Sequence, residues 1–170
     1  MDLGLLILRV VVGLTLAAHG SQKLFGWFGG YGLAGTGAFL EQLGFRPGKA
    51  QAFLSGAAEA GGGLLLAAGL FTPLAAAAIV SVMFVAIVSV HWTKGFFTQN
   101  GGFEFPLALA SAGVALAFTG PGALSLDHVL GLSWQGETWG LAALGAGLLM
   151  GAAPLLARAK APAAEAQQAA

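Results

Sequence analysis

"LGLLILRVVVGLTLAAHGS" (Leu3–Ser21) is the stretch on which the fold turns. A spanning helix needs about 20 mostly apolar residues, and this segment supplies them. Yet it holds Arg9 and His19, and Lys23 follows within a turn. An ionisable group at membrane depth costs at least ~2.5–3.5 kcal/mol on insertion scales and usually faces inward. At 100° per residue, His19 lies about 80° round from Arg9 and Lys23 about 40°, in the same direction. All three share one arc. The first helix therefore has a polar stripe, which must face other helices or water.

The rest of the chain agrees with a lipid setting. Apolar residues make up 57% and charged residues 8% of the 170, against about 45–50% and about 25% in soluble domains. Seven basic and seven acidic groups cannot cover a soluble surface of this size, so an integral membrane protein is expected. The formal net charge is zero and there is no basic stripe with interleaved aromatics, which argues against nucleic acid as a partner. Cysteine is absent, which excludes disulfides, thiolate metal sites and a thiol relay. Asp2 and Arg9 are out of place in a cleaved signal peptide, so the first helix is expected to be retained.

Four further spans follow by the same criterion. Ala50 to Leu70 is the second, and "FTPL" (Phe71–Leu74) ends it. Pro73 suits the first turn of a new helix, with Thr72 as its N-cap. Ala75 to Trp92 is the third span, Phe103 to Thr119 the fourth, and the glycine-rich Thr138 to Ala157 the fifth. The fold class is thus all-α, a polytopic transmembrane bundle with a four-helix core and a fifth C-terminal helix. Residues 1–128 form the core domain, 129–157 add the fifth helix and its loop, and the alanine- and proline-rich 158–170 is expected to be disordered. Between spans one and two, "GTGAFLEQLGF" (Gly35–Phe45) fits either a short helix on the membrane surface or a polar turn. Small residues in "SGAAEAGGG" (Ser55–Gly63) and "GLAALGAGLLMG" (Gly140–Gly151) let helices approach closely.

Lys23, Arg46, Lys49, Lys94, Arg158 and Lys160 all fall on one side of a five-span arrangement. The positive-inside rule then puts the N-terminus outside and the tail in the cytoplasm of a cell (inner) membrane. Trp27, Trp92, Trp134 and Trp139 fall near span ends, where interfacial anchors belong.

The acids that could answer the stripe lie elsewhere. Glu59 is in the middle of span two, on the face with Ser55, Gly56, Gly62 and Gly63. Arg9 is its expected counter-charge, since guanidinium grips carboxylate with two hydrogen bonds. A purely structural clasp would account for such a pair as well as a functional site would. His91 ends span three and Glu104 begins span four, where it also suits the positive end of the helix dipole. Taken alone, His91 is an interfacial polar group and Glu104 a helix-start acid. With His19 and Lys23 at the same depth, the stripe of the first helix becomes one wall of a polar pocket with Glu59, His91 and Glu104 opposite, Arg9 and Glu59 lying deeper. Such a pocket could hold a headgroup, a quinone ring or a proton path, and histidine titrates near neutral pH. A metal is disfavoured: there is no HxxxH or ExxH spacing, and Lys23 would repel a cation. Haem on His19 and His91 has nothing else behind it.

Four blocks now carry a resemblance: "LRVVVGLTLAAHGSQKLFG", "EAGGGLLLAAGLFTPLAA", "HWTKGFFTQNGGFEFPLAL" and "FTGPGALSLDH", in that order, over residues 3–128. Together they resemble the DoxX family. The resemblance implies a four-helix membrane bundle and an oxidoreductase role. Some members are similar to the membrane subunit of a thiosulfate:quinone oxidoreductase, and others are linked to redox complexes that meet oxidative stress. It also points to Arg9, His19, Lys23, Glu59, His91 and Glu104, without assigning them steps. Many four-helix relatives keep both termini in the cytoplasm, whereas the charge count here separates them.

Three functions follow. The first is a component of a quinone-linked membrane oxidoreductase, with His19, Lys23, His91 and Glu104 as catalytic candidates, quinone as the candidate cofactor and a redox protein as partner. The second is a non-enzymatic assembly factor or anchor for a redox complex. The third is a small proton-coupled transporter, for which an inverted repeat or broken helix pair would be the sign, and neither is evident.

Overall fold

The structure, a computed structural model, describes residues 1–159. The expected disordered tail lies outside the described residues from Lys160 onward. The described chain forms seven α-helices: α1 (Asp2–Phe25), α2 (Gly32–Gln42), α3 (Gly48–Ala68), α4 (Thr72–Ala86), α5 (Glu104–Thr119), α6 (Leu126–Val129) and α7 (Glu137–Leu156). α4 continues through a π-helical turn, Ile87–His91, and a 3-10 turn, Trp92–Lys94. Three stretches are long and apolar enough to cross a membrane: Asp2–Phe25, Thr72–Lys94 and Glu137–Leu156. α5 is apolar but shorter. α3 has the length, 21 residues, but Gln51, Ser55, Glu59 and its glycines dilute its apolar character.

Each expected span falls on one long helix, and the stops are legible. α1 and α3 end on Gly26 and Gly69, both left-handed at φ 75° and 65°, a conformation that costs glycine nothing. α1 and α3 run antiparallel and nearly touch backbone to backbone. A Cβ added at Gly13 would strike the Gly63 carbonyl, and one at Gly20 would strike Ala60 and Gly56. Small residues allow this approach, which maximises dispersion contacts where lipid offers no hydrophobic drive. α7 lies alongside α4 in the same direction, with Gly147 against Val80 and Ala77 and Gly151 against Phe84 and Ser81. The direction therefore alternates through α1, α3, α4 and α5, and α7 runs with α4. Met1 lies at one end of the bundle, the near end, and Ala157 at the other, the far end. Leu16, Leu66, Ile79 and Leu116 are fully buried at the centre.

Gly35–Phe45 proves to be helical for the most part. Here α2 covers Gly32–Gln42 and packs on α3, and Glu41 Oε1 accepts from the Gly48 amide at 3.0 Å, capping α3. Thr72 is not the N-cap of α4. It is the first helical residue, after Phe71 at φ 48°, and the capping acceptor comes from Asp127. Trp134 and Trp139 stack at 5.4 Å at the near end, while Trp27 and Trp92 are exposed at the far end.

Candidate functional site

α1 and α3 bring the first two groups together at the far end. Lys23 Nζ donates to Glu59 Oε1 at 2.7 Å. Glu59 is 3% exposed, and its Oε2 has no hydrogen-bond partner among the described residues. Lys23 starts level with Gly56, since a Cβ on that glycine would meet the lysine Cβ at 3.2 Å. Its long stem then reaches inward to the carboxylate. One acid oxygen is thus neutralised and the other is left inside the bundle with its hydrogen-bonding capacity unused, a costly arrangement for a buried carboxylate.

His19, His91 and Glu104 gather at the same end without joining this pair. The His19 ring lies 5.8 Å from that of Phe105 in the first turn of α5, next to Glu104 in the chain. His91 closes the π-helical turn, and its Nδ1 lies 2.6 Å from the Gly101 carbonyl. The loop from Gly95 to Phe103 folds back on itself: the Glu104 amide donates to the Phe96 carbonyl at 2.9 Å and the Phe103 amide to that of Gly95 at 3.1 Å. Trp92 stacks on Phe103 at 5.3 Å. The hairpin therefore holds His91 and Glu104 at one level, and no hydrogen bond joins their side chains among the described residues.

The expected Arg9–Glu59 pair is not formed. Arg9 sits at the near end, 2% exposed, where Nη1 donates to the Ala67 carbonyl at 2.9 Å and Nη2 donates to the Leu124 carbonyl. The antiparallel register explains this. Arg9 is level with Ala67, about 12 Å along α3 from Glu59 at ~1.5 Å per residue. A shared arc on α1 fixes a direction and leaves height free.

The same end of the bundle holds an acid that the sequence alone does not single out. Asp127, 1% exposed, accepts from the Phe71 amide at 2.7 Å, the Thr72 amide at 3.0 Å and the Thr72 hydroxyl at 2.7 Å. Its own amide donates to the Gly69 carbonyl at 2.8 Å. The Arg9 guanidinium lies against the same Gly69. This is a clasp joining α1, the α3–α4 turn and the 120–136 loop. The available signal is an acid alone in the apolar run "ALSLDHVLGL" (Ala123–Leu132), opposite a helix start that lacks its own carboxylate.

Two of the cavities among the described residues are lined by none of Arg9, His19, Lys23, Glu59, His91 and Glu104. One, of about 530 Å³, lies at the far end among α2, α3, α4 and α7. The other, of about 310 Å³, is a polar cup at the near end that includes Asp2 and His128. No group of three or more metal-ligating side chains occurs among the described residues.

Removing Lys23 tests the pair directly. Lys23→Met is expected to destabilise the fold by roughly 3 kcal/mol, the low end of the range for stranding a buried charge, because the lysine itself is 28% exposed. The double variant Lys23→Met/Glu59→Leu should recover most of that loss. Unfolding in detergent reads both, and additive losses would show that the two groups do not interact.

The DoxX family model matches residues 4–92. A Bacillus subtilis (strain 168) protein named "Putative oxidoreductase CatD" is 32% identical over 126 residues, covering 74% of this chain and 86% of its own length. No solved structure matches the chain. The matched segment carries the α1–α3 pair and α4 through His91, and the relative is similar over most of both chains. This chain is a membrane protein that belongs to the DoxX family.

Proposed function

We propose that the protein is one component of a quinone-linked membrane oxidoreductase, with five spans and its tail in the cytoplasm. His19, Lys23, His91 and Glu104 line the working end in this reading, and Glu59 is its buried base. The observation that carries it is the Glu59 carboxylate, enclosed, tied to Lys23 by one oxygen and unpartnered at the other. That free oxygen suits the hydroxyl of a quinol, which the bare apolar face of a structural helix would not. Oxidation of a quinol to quinone releases two protons and two electrons. Glu59 takes a proton at membrane depth, Lys23 holds the carboxylate in place, and His19 or His91 passes protons toward the far end. The electrons go to a partner redox protein, since this chain has no thiol to receive them. The relative's name supports the class of activity.

The test is reconstitution of the full chain with quinol and candidate acceptor proteins. Turnover that falls at least about 100-fold in Glu59→Gln, in line with loss of a general base, supports the reading. Absence of both bound quinone and quinol-dependent turnover in the wild type overturns it. A second reading, an assembly factor for a redox complex, is favoured by the far-end ridge of Trp27, Phe28 and Tyr31, exposed at 58, 72 and 84%. It requires that replacing these three by alanine abolish copurification of a partner while His91→Ala leaves it intact.

A further inference from the structure

The 530 Å³ cavity is separate from the charged cluster, and the proposed quinol chemistry makes no use of it. Its walls are apolar, with Leu40 of α2, Phe45, Leu54 of α3, Val82 and Val85 of α4 and Met150 of α7. Leu54 and Met150 are 59% and 52% exposed, so the opening lies on the outer surface of the bundle, where lipid tails would surround it. Its size falls within the ~300–1,000 Å³ of ordinary ligand sites. Among helices of a membrane protein such a space suits a hydrocarbon chain.

The rim identifies the rest of the occupant. Phe45 forms part of the wall, and the Arg158 guanidinium stacks over its ring at 5.4 Å from the centroid. Arg158 Nε donates to the Leu43 carbonyl, and its two Nη groups have no protein acceptor among the described residues. Arg46 follows Phe45 directly and Lys49 is the second residue of α3; both are exposed. Facing them is Glu41, whose Oε1 is engaged by the Gly48 amide. Of these three cations, Arg158 is held over a wall residue of the slot, and Arg46 and Lys49 lie within four residues of that same Phe45 in the chain, against the one acid. Basic pockets between membrane helices recognise anionic headgroups by this combination.

We propose that this cavity binds one anionic glycerophospholipid, an acyl chain within the slot and the phosphodiester on Arg46 and Arg158. Guanidinium suits that headgroup because two parallel N–H donors match two phosphate oxygens. A zwitterionic lipid adds a quaternary ammonium that the same arginines repel. Ser55 and Ser81 are also in the wall, where a leucine would take up part of the slot.

Native mass spectrometry of the full chain, equilibrated with equal amounts of phosphatidylglycerol and phosphatidylcholine, tests this. The expected result is one retained phosphatidylglycerol in clear excess over phosphatidylcholine. Arg46→Gln and Arg158→Gln should each weaken that preference about 5-fold, and Ser81→Leu should reduce the amount of adduct retained. Rising salt should erode the preference, as it does for exposed charges. Equal retention of both lipids, or an adduct indifferent to all three substitutions, overturns the proposal. So does a neutral isoprenoid found in place of phospholipid. The wild-type competition needs no variant, so a misfolded mutant does not affect its outcome, and quinol turnover does not enter it.

Discussion

Asp127→Ala is expected to destabilise the protein by about 3–5 kcal/mol, more than truncation of any other single side chain in the clasp. Two amides, of Phe71 and Thr72, lose their acceptor in a buried setting, and each unsatisfied group costs about 1–3 kcal/mol. The buried Thr72 hydroxyl loses its acceptor as well. Phe71 sits at φ 48°, a strained conformation for a non-glycine residue that the surrounding bonds must enforce. In a protein of this length the loss should lower the unfolding midpoint in detergent by about 6–20 °C. Asp127→Asn keeps one acceptor oxygen and should cost roughly half as much. If alanine at this position leaves the midpoint unchanged, the clasp contributes nothing and the α3–α4 turn is held by packing alone.

The second large effect is expected at Gly13. A Cβ there would lie on the Gly63 carbonyl and within 2.7 Å of the Ala67 amide nitrogen. Both are backbone atoms and neither can rotate away. Gly13→Val should therefore force α1 and α3 apart, at a cost at or above the ~1–3 kcal/mol usual for overpacking. Since Lys23 and Glu59 meet across this same seam, the ion pair should open as well. The control is Gly61→Ala, on the same α3, where an added Cβ meets nothing within 4 Å. That change should be neutral or stabilise by about 0.5–1 kcal/mol through helix propensity. Cysteine cross-linking between α1 and α3 would report the separation. Equal behaviour of the two variants would mean that the seam is loosely packed.

These two sites mark what can be read from the residues and what cannot. The helices are legible because apolar runs about 20 residues long stop at Gly26, Gly69 and the Phe71–Thr72–Pro73 corner, each for a local reason. The polar stripe of α1 is also legible as a direction. Its partners are not, because partnership depends on the vertical register between α1 and α3. That register is set by the Gly13–Gly63 and Gly20–Gly56 contacts. Applied in reverse, the same glycine pairing puts Arg9 opposite Ala67 and brings Lys23 within reach of Glu59. Asp127 is hidden for a different reason. A cap supplied from more than fifty residues away leaves no pattern at the helix it serves, and Thr72 has the chemistry of a sufficient cap by itself.

The π-helical turn at Ile87–His91 has one more effect. It takes in one residue more than regular winding would, and each residue is worth about 100° of rotation. The bearing of the His91 imidazole toward the Gly101 carbonyl is therefore set by a local surplus in the count. Wound as regular α-helix instead, the same five residues would carry that ring about a quarter-turn further round, while everything earlier in α4 kept its heading.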